Sequence, residues 1–209
     1  MDTTNKTYSP ADSWTEVILI YNSALKQIGT KLEILNDEFQ HVHSYNPIEH
    51  IKSRIKSSES IVKKLKKYGY ESTIENMVEY VNDIAGIRVI CSFTSDIYKI
   101  ASMIRNQNDL KILTIKDYIK NPKPSGYKSY HMLVAVPIYL SDRIVHAKVE
   151  IQIRTVAMDF WATLEHKINY KFEGNVPQSI KDELVESSHL ISDLDAKMLS
   201  LNEQIQDSN

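Results

Sequence analysis

Apolar residues recur over the first forty positions at alternating intervals of four and three: Trp14, Ile18, Tyr21, Leu25, Ile28, Leu32, Leu35, Phe39 and Val42. That is a heptad seam, and it predicts a long helix over 12–43 with Gly29 as a mild interruption. The spacing returns near the other end. There Ile180, Leu184, Ser187, Ile191, Leu194, Met198, Leu201 and Ile205 predict a second long helix over 178–206. Such a seam can bury against the body of the protein or against another subunit, and one helix can do both.

Between the seams the period changes. Asn46 as N-cap, Pro47 at the first helical position and Glu49 behind them predict a helix from 46 that Gly69 ends. A short helix should follow from Ser72, with Glu75 three residues on. "AGIRVICSF" reads as a strand, "SDIYKIASMIRNQ" as an amphipathic helix and "LKILTIKDYI" as another strand. "KNPKPSG" is a loop. "YKSYHMLVAVPIYL" and "RIVHAKVEIQIRT" read as strands close enough to form a hairpin. "VAMDFWATLEHKINYKF" is a helix, joined by the hinge "EGNVP" to the last one. The order predicts an α+β fold around a mixed sheet.

One strand raises a chemical question. In "AKVEIQIRT", Val149, Ile151 and Ile153 point one way, and Lys148, Glu150, Gln152 and Arg154 the other. A solvated face needs only polar side chains. Base, acid, amide and base in a row also suit the floor of a site for a charged ligand.

Composition narrows the classes. The 209 residues suggest one domain, with 42% apolar and 25% charged residues, as in ordinary soluble proteins. A net charge of -2 gives no global field for nucleic acid, so any basic site must be local. A single cysteine, Cys91, excludes an intrachain disulfide and fits a reducing cytosol. The polar start "MDTTNKTYSP" is unlike a secretory signal, and the longest apolar run, "MLVAVPIYL", is far shorter than the ~20 residues of a membrane span. A cytoplasmic protein without a membrane role is expected. Gly is scarce, 5 in all, which predicts few loops and much helix.

Four stretches carry candidate chemistry. If 46–69 is one helix, Lys56, Ser60, Lys63, Lys64 and Lys67 lie opposite its apolar side, with Lys56, Ser60 and Lys64 stacked. Ammonium groups around a hydroxyl suit polyphosphate, although a Lys-rich face is more often merely solvated. Arg54, at the edge of the apolar side, can stack on a base or clamp a phosphate. Asp83 in "NDIAGIRV" precedes a strand carrying Arg88, and suits Mg²⁺ if a second acid converges on it; otherwise it is a turn cap. In "KPSGYKSYH", Gly126 permits close approach, and Tyr127 beside Lys123 and Lys128 can stack on a purine or simply pack at a sheet edge. If the hairpin forms, Tyr127, Ser129 and His131 line the same face as Glu150, and Asp83 and Glu150 face one groove. Two acids among so many cations make sense around a metal bound to phosphates. His41, His43 and His50 lack a third ligand at a familiar zinc spacing, and His146 reads as an edge residue.

"RIKSSESIVKKL", "DIAGIRVICSF", "PSGYKSYH" and "VEIQIRTVAMDFWATLEHKINYK" resemble, in order and spacing, the RelA/SpoT-type alarmone synthetase domain. Over residues 12 to 200 the chain is similar to small alarmone synthetases of the RelP branch. The resemblance implies a nucleotidyltransferase-like mixed sheet and a Mg²⁺-dependent homotetramer. It implies transfer of the β,γ-pyrophosphoryl group of ATP to the 3′-hydroxyl of GTP or GDP, releasing AMP, in the stringent response. Asp83 would be the principal metal ligand, and Glu150 would assist it and take the 3′-hydroxyl proton. Arg54 and Arg88 would hold the adenine; Lys56, Ser60 and Lys64 would grip the ATP phosphates. Tyr127 would stack on guanine, with Lys128, His131, Gln152, Arg154 and His166 completing the acceptor side. The expected organisation is one synthetase domain over 1–209, with 12–43 and 178–206 as oligomerisation elements. No hydrolase domain is expected, because the hydrolysing relatives use an adjacent His-Asp pair and none of the seven histidines here precedes Asp.

Three rival readings remain. A Tyr-Lys loop and a basic row also suit a single-stranded RNA module, against which the near-neutral charge argues. An AMP-adding nucleotidyltransferase would carry Gly-Ser followed by Asp-x-Asp, which this chain lacks. A helical scaffold would explain the seams but not the charged strand face.

Overall fold

The computed structural model describes residues 14–43, 45–172 and 174–207. The polar N-terminal stretch and positions 12 and 13 of the first predicted helix lie outside the described residues. Helix α1 (Trp14–His43) leads into strand β1 (Ile48–Ile55), helices α2 (Ser58–Tyr68) and α3 (Ile74–Tyr80), strand β2 (Ala85–Cys91) and helix α4 (Thr94–Arg105). Strands β3 (Lys111–Asp117), β4 (Tyr130–Tyr139) and β5 (Ile144–Thr155) follow, then helices α5 (Val156–Lys171) and α6 (Gln178–Asp207). The strands form one mixed five-stranded sheet in the order β1-β2-β5-β4-β3, with β2 and β5 parallel and the other pairs antiparallel. The predicted hairpin exists as β4–β5, paired from Tyr130↔Ile153 to Tyr139↔Ile144.

Alternation divides the sheet into two faces. Ile87, Val89, Met132, Val134, Val149, Ile151 and Ile153 are all buried and join one core with α1 and α4. On α1, Val17, Ile20 and Ala24 are buried beside Tyr21, Leu25, Ile28 and Leu32. That stripe is wider than a heptad seam and has the breadth of a helix packed on a sheet. The helix predicted over 12–43 therefore directs most of its apolar surface to its own core, leaving Trp14, Leu19, Ile34 and Val42 exposed. The C-terminal helix differs. Ser188 is its buried residue, while Leu190, Leu194, Met198, Leu201 and Ile205 are exposed.

The helix expected from 46 to 69 is a correction. Its first half is β1, and only its second half is helical. Ile48, Ile51 and Ile55 match a helical period, but in the structure Ile51 and Ile55 pair with Val89 and Ala85 of β2. The Asn46 Oδ1 accepts from the Ile48 N–H at 3.0 Å, closing a tight turn instead of capping a helix. Ser57 is the N-cap of α2, accepting from the Ser60 N–H, and Gly69 ends it as expected. The short helix starts one step later than predicted, capped by Thr73.

Candidate active site

The polar face of the sheet carries a groove. Arg54 on β1 stands opposite Gly86 on β2, and Gly86 is in register with Glu150 on β5. A small cavity of about 180 Å³ there is lined by Lys52, Arg54, Asp83, Gly86, Arg88, Glu150 and Gln152. Gly86 keeps the centre open: a Cβ there would meet nothing nearer than 3.9 Å. Arg88 lies diagonally across from Arg54. Diagonal neighbours of an antiparallel pair sit about 7–8 Å apart, room for a flat base between two guanidinium planes at roughly 3.5 Å from each. The Arg88 Nε is buried with no hydrogen-bond partner among the described residues.

Asp83 sits in the turn that feeds β2. Its Oδ1 accepts from Lys64 Nζ at 2.8 Å and its Oδ2 from Lys56 Nζ at 2.9 Å. Burial alone would push its pKa up, but the hydrogen bonds and charges of Lys64 and Lys56 outweigh that and hold it below the ordinary value. Burial works against the Lys64 charge too, and the bond and charge of Asp83 reverse it, raising that pKa. Lys56 lies just before the cap of α2, Ser60 on its exposed first turn and Lys64 one turn further. Of the row predicted as a helical stripe, Lys56 and Lys64 thus converge on one carboxylate from loop and helix.

Glu150 holds the centre of β5. Its Oε2 accepts from Gln152 Nε2 at 2.8 Å, and its Oε1 lies 3.3 Å from His131 Nδ1. Burial raises its pKa, yet the bonds from His131 and Gln152 overcome this and leave it depressed. The network continues inward. His131 Nε2 meets the Tyr127 hydroxyl at 2.8 Å, and that hydroxyl accepts from Arg154 NH2 at 2.6 Å. An imidazole with its proton on Nδ1 satisfies both contacts, accepting from Tyr127 and donating to Glu150. Lys123 Nζ and the Arg154 guanidinium lie 4.6 and 5.1 Å from the centre of the Tyr127 ring.

Several expected site residues have other tasks. Arg154 is 4% exposed and donates to Gln152, Asp159, Tyr127 and Ser129, so it is a buried strut behind Tyr127 and Gln152 and not an open contact. Lys128 reaches α6, donating to Ser192 Oγ at 2.6 Å. His166 is exposed on α5, about 10 Å along the helix axis from Asp159, and the structure does not bring it to the groove. Lys148 donates to the Glu79 carbonyl at 2.7 Å and so satisfies the last turn of α3. The close approach expected of Gly126 is made to α6: it has φ +86°, and a Cβ there would fall 2.2 Å from Ser188 Oγ.

Asp159 escaped the sequence reading. Its Oδ1 accepts from both Arg88 and Arg154, each at 3.0 Å. An acid in the first turn of a helix capped by Thr155 is what the helix dipole alone would favour, so nothing marked it out.

The donor set fits Mg²⁺. Asp83 and Glu150 are both held ionised and offer hard oxygens, and two lysine ammoniums rest on the Asp83 oxygens where positive charge is wanted. Mg²⁺ commonly takes one or two carboxylates and fills its shell with water and substrate phosphates. Among the described residues there is no group of three or more His, Cys, Asp or Glu placed to hold a metal, and His41 Nδ1 bonds back to the Asp37 carbonyl of its own helix. The side chain of His43 lies outside the described residues. A larger cavity of about 680 Å³, lined by α3 and the rows of Lys111, Ala135 and Lys148, contains none of the carboxylates or arginines of the groove. Convergent charge, and not volume, locates the site.

Residues 53–175 match the family described as the region found in RelA / SpoT proteins. GTP pyrophosphokinase YwaC of Bacillus subtilis (strain 168) is 47% identical over 194 residues, 93% of this chain and 92% of that protein. The small alarmone synthetase 2 structure from Bacillus subtilis is 46% identical at a TM-score of 0.83, covering 91% of this chain and 98% of that one. The small alarmone synthetase 1 structure from the same organism, bound to its product pppGpp, is 35% identical at a TM-score of 0.86, covering 92% and 98%. Asp83, Glu150, Arg54, Lys56, Lys64 and Arg88 all fall inside the matched span, and the chain belongs to the RelA/SpoT family.

Proposed function

We propose that this chain is a GTP pyrophosphokinase that makes pppGpp from ATP and GTP, or ppGpp from ATP and GDP. The observation that carries the reading is one groove holding two ionised carboxylates, Asp83 and Glu150, among Arg54, Lys56, Lys64 and Arg88. ATP lies with its base between Arg54 and Arg88. Lys56 and Lys64 turn from Asp83 to the phosphates, with Ser60 beside them. Asp83 and Glu150 would hold Mg²⁺, which would supply neutralisation of the phosphate charge. The acceptor nucleoside lies over Tyr127, with its 3′-hydroxyl at Glu150 and His131 and Gln152 fixing that carboxylate.

Glu150 takes the 3′-hydroxyl proton as the oxygen attacks the β-phosphorus of ATP. The bond from that phosphorus to the α,β-bridging oxygen breaks, and AMP leaves with the oxygen. A carboxylate with a depressed pKa is a weak base, so alignment and charge neutralisation carry most of the rate, as in phosphoryl transfer generally. The absence of any His-Asp pair in the chain supports synthesis without hydrolysis.

The exposed apolar row of α6 supports a homo-oligomer, proposed as a tetramer. Among the described residues no helix is long and apolar enough to cross a membrane, which supports a cytoplasmic place. Incubation of pure protein with Mg²⁺, ATP and GTP tests the activity. Equal amounts of AMP and guanosine pentaphosphate are expected. Release of pyrophosphate would mean nucleotidyl transfer, and tight oligonucleotide binding without turnover would mean an RNA-binding role.

A further inference from the structure

Two cations in this site share one acid. Arg88 projects from β2 on the donor side, and Arg154 lies behind the acceptor wall. The Asp159 Oδ1 accepts from NH1 of each, at 3.0 Å. Among the described residues Asp159 is the only ion-pair partner of Arg88, and its side chain is 14% exposed. Burial works against the Arg88 charge, and the like charge of Arg154 adds to it, while Asp159 acts the other way. From Arg154 one line of hydrogen bonds runs to Tyr127 and on through His131 to Glu150 Oε1, and another runs to Gln152 and directly on to Glu150 Oε2.

We infer that Asp159 is a positioning residue that joins the two substrate halves. It fixes the Arg88 plane for the donor base, and through Arg154 it fixes the Tyr127 ring for the acceptor. This rests on the pyrophosphokinase reading of the same groove. Asp159 touches neither substrate. It stands on α5, so the packing of that helix against the sheet sets both arginines at once. An amide in its place keeps the shape but removes the charge that reconciles two neighbouring guanidinium groups. Either arginine can then swing, and both substrates lose a pre-set partner.

Calorimetry separates the possibilities. Affinities for a methylene-bridged ATP analogue and for GDP are measured one at a time, with melting temperatures, for wild type, Asp159→Asn, Arg88→Ala and the double variant. Asp159→Asn is expected to weaken both ligands by roughly 5- to 20-fold. Arg88→Ala should weaken only the ATP analogue. In the Arg88→Ala background, Asp159→Asn should no longer affect the ATP analogue but should still weaken GDP. Affinities unchanged by Asp159→Asn, or an effect on the ATP analogue that persists without Arg88, would overturn the assignment. If the amide variant does not fold, Asp159→Glu keeps the charge and shifts it by one methylene. Weaker binding of both ligands is again expected, and wild-type affinities again overturn it. Wild-type protein that binds neither ligand would instead overturn the pyrophosphokinase reading.

Discussion

Each polar residue of β5 answers to a different neighbour. Lys148 secures α3, Glu150 faces the groove, Gln152 orients Glu150, and Arg154 ties Tyr127 and Gln152 to α5. The alternation that predicted a charged floor was legible in sequence because it is local. The division of labour was not, because it depends on which element crosses above each residue. Two predictions belong at this scale. Glu150→Gln keeps the shape of the side chain, and its remaining carbonyl oxygen can accept from Gln152 or His131, but it cannot take a proton. It should bind both nucleotides within about threefold of wild type and lose turnover by roughly 10²–10⁴-fold, the usual worth of a general base; parallel binding and rate measurements check this. The second concerns pH. Asp83 and Glu150 are depressed in the folded state, so their contribution to stability is present above the ordinary carboxylate range and lost as pH falls through and below it. Substrate-free wild type should melt at progressively lower temperature as pH drops below about 4.5. Glu150→Gln should show a shallower fall. An equal slope in both proteins would show that Glu150 has no such role.

At the scale of elements, the amphipathic helices and the hairpin were legible in the sequence, because their periods extend over many residues. It misled at β1, where Ile48, Ile51 and Ile55 fit a helical spacing, and fit a strand only through the irregular register between Ile48 and His50. Tertiary pairing with β2 decided the matter, placing Arg54 diagonally across from Arg88 on the adjacent strand. It also split the basic row, so that Lys56 and Lys64 reach Asp83 from different elements. The loop before β4 depends on α6 through Gly126 and Lys128. Gly126→Ala meets both a positive φ and a clash with Ser188. We expect a loss of about 2 kcal/mol or more, a fall of roughly 4–8 °C in Tm. The KM for GTP should also rise, because Tyr127 is the next residue. Thermal denaturation with GTP and ATP titrations would check both parts, and an unshifted Tm would contradict the packing.

For the whole molecule, the two predicted seams have parted ways. That of α1 is largely buried on its own sheet, and that of α6 is left open. Heptad spacing alone could not distinguish them, because burial by a sheet and burial by a subunit use the same residues. If α6 is the interface, light scattering should give a mass near four times the 24.1 kDa chain. Leu194→Asp with Met198→Asp should reduce that mass while the isolated fold stays helical. A monomeric wild type at micromolar concentration would remove the proposal of a tetramer.

The most direct test of the central claim follows the fate of the γ-phosphate. ATP labelled at that position is mixed with GTP, Mg²⁺ and either wild type or Glu150→Gln, and the nucleotides are separated after one turnover. Label is expected in a guanosine pentaphosphate, with one AMP for each, and almost none of either with the variant. Label appearing as free phosphate or pyrophosphate, or equal transfer by folded Glu150→Gln, would contradict that claim.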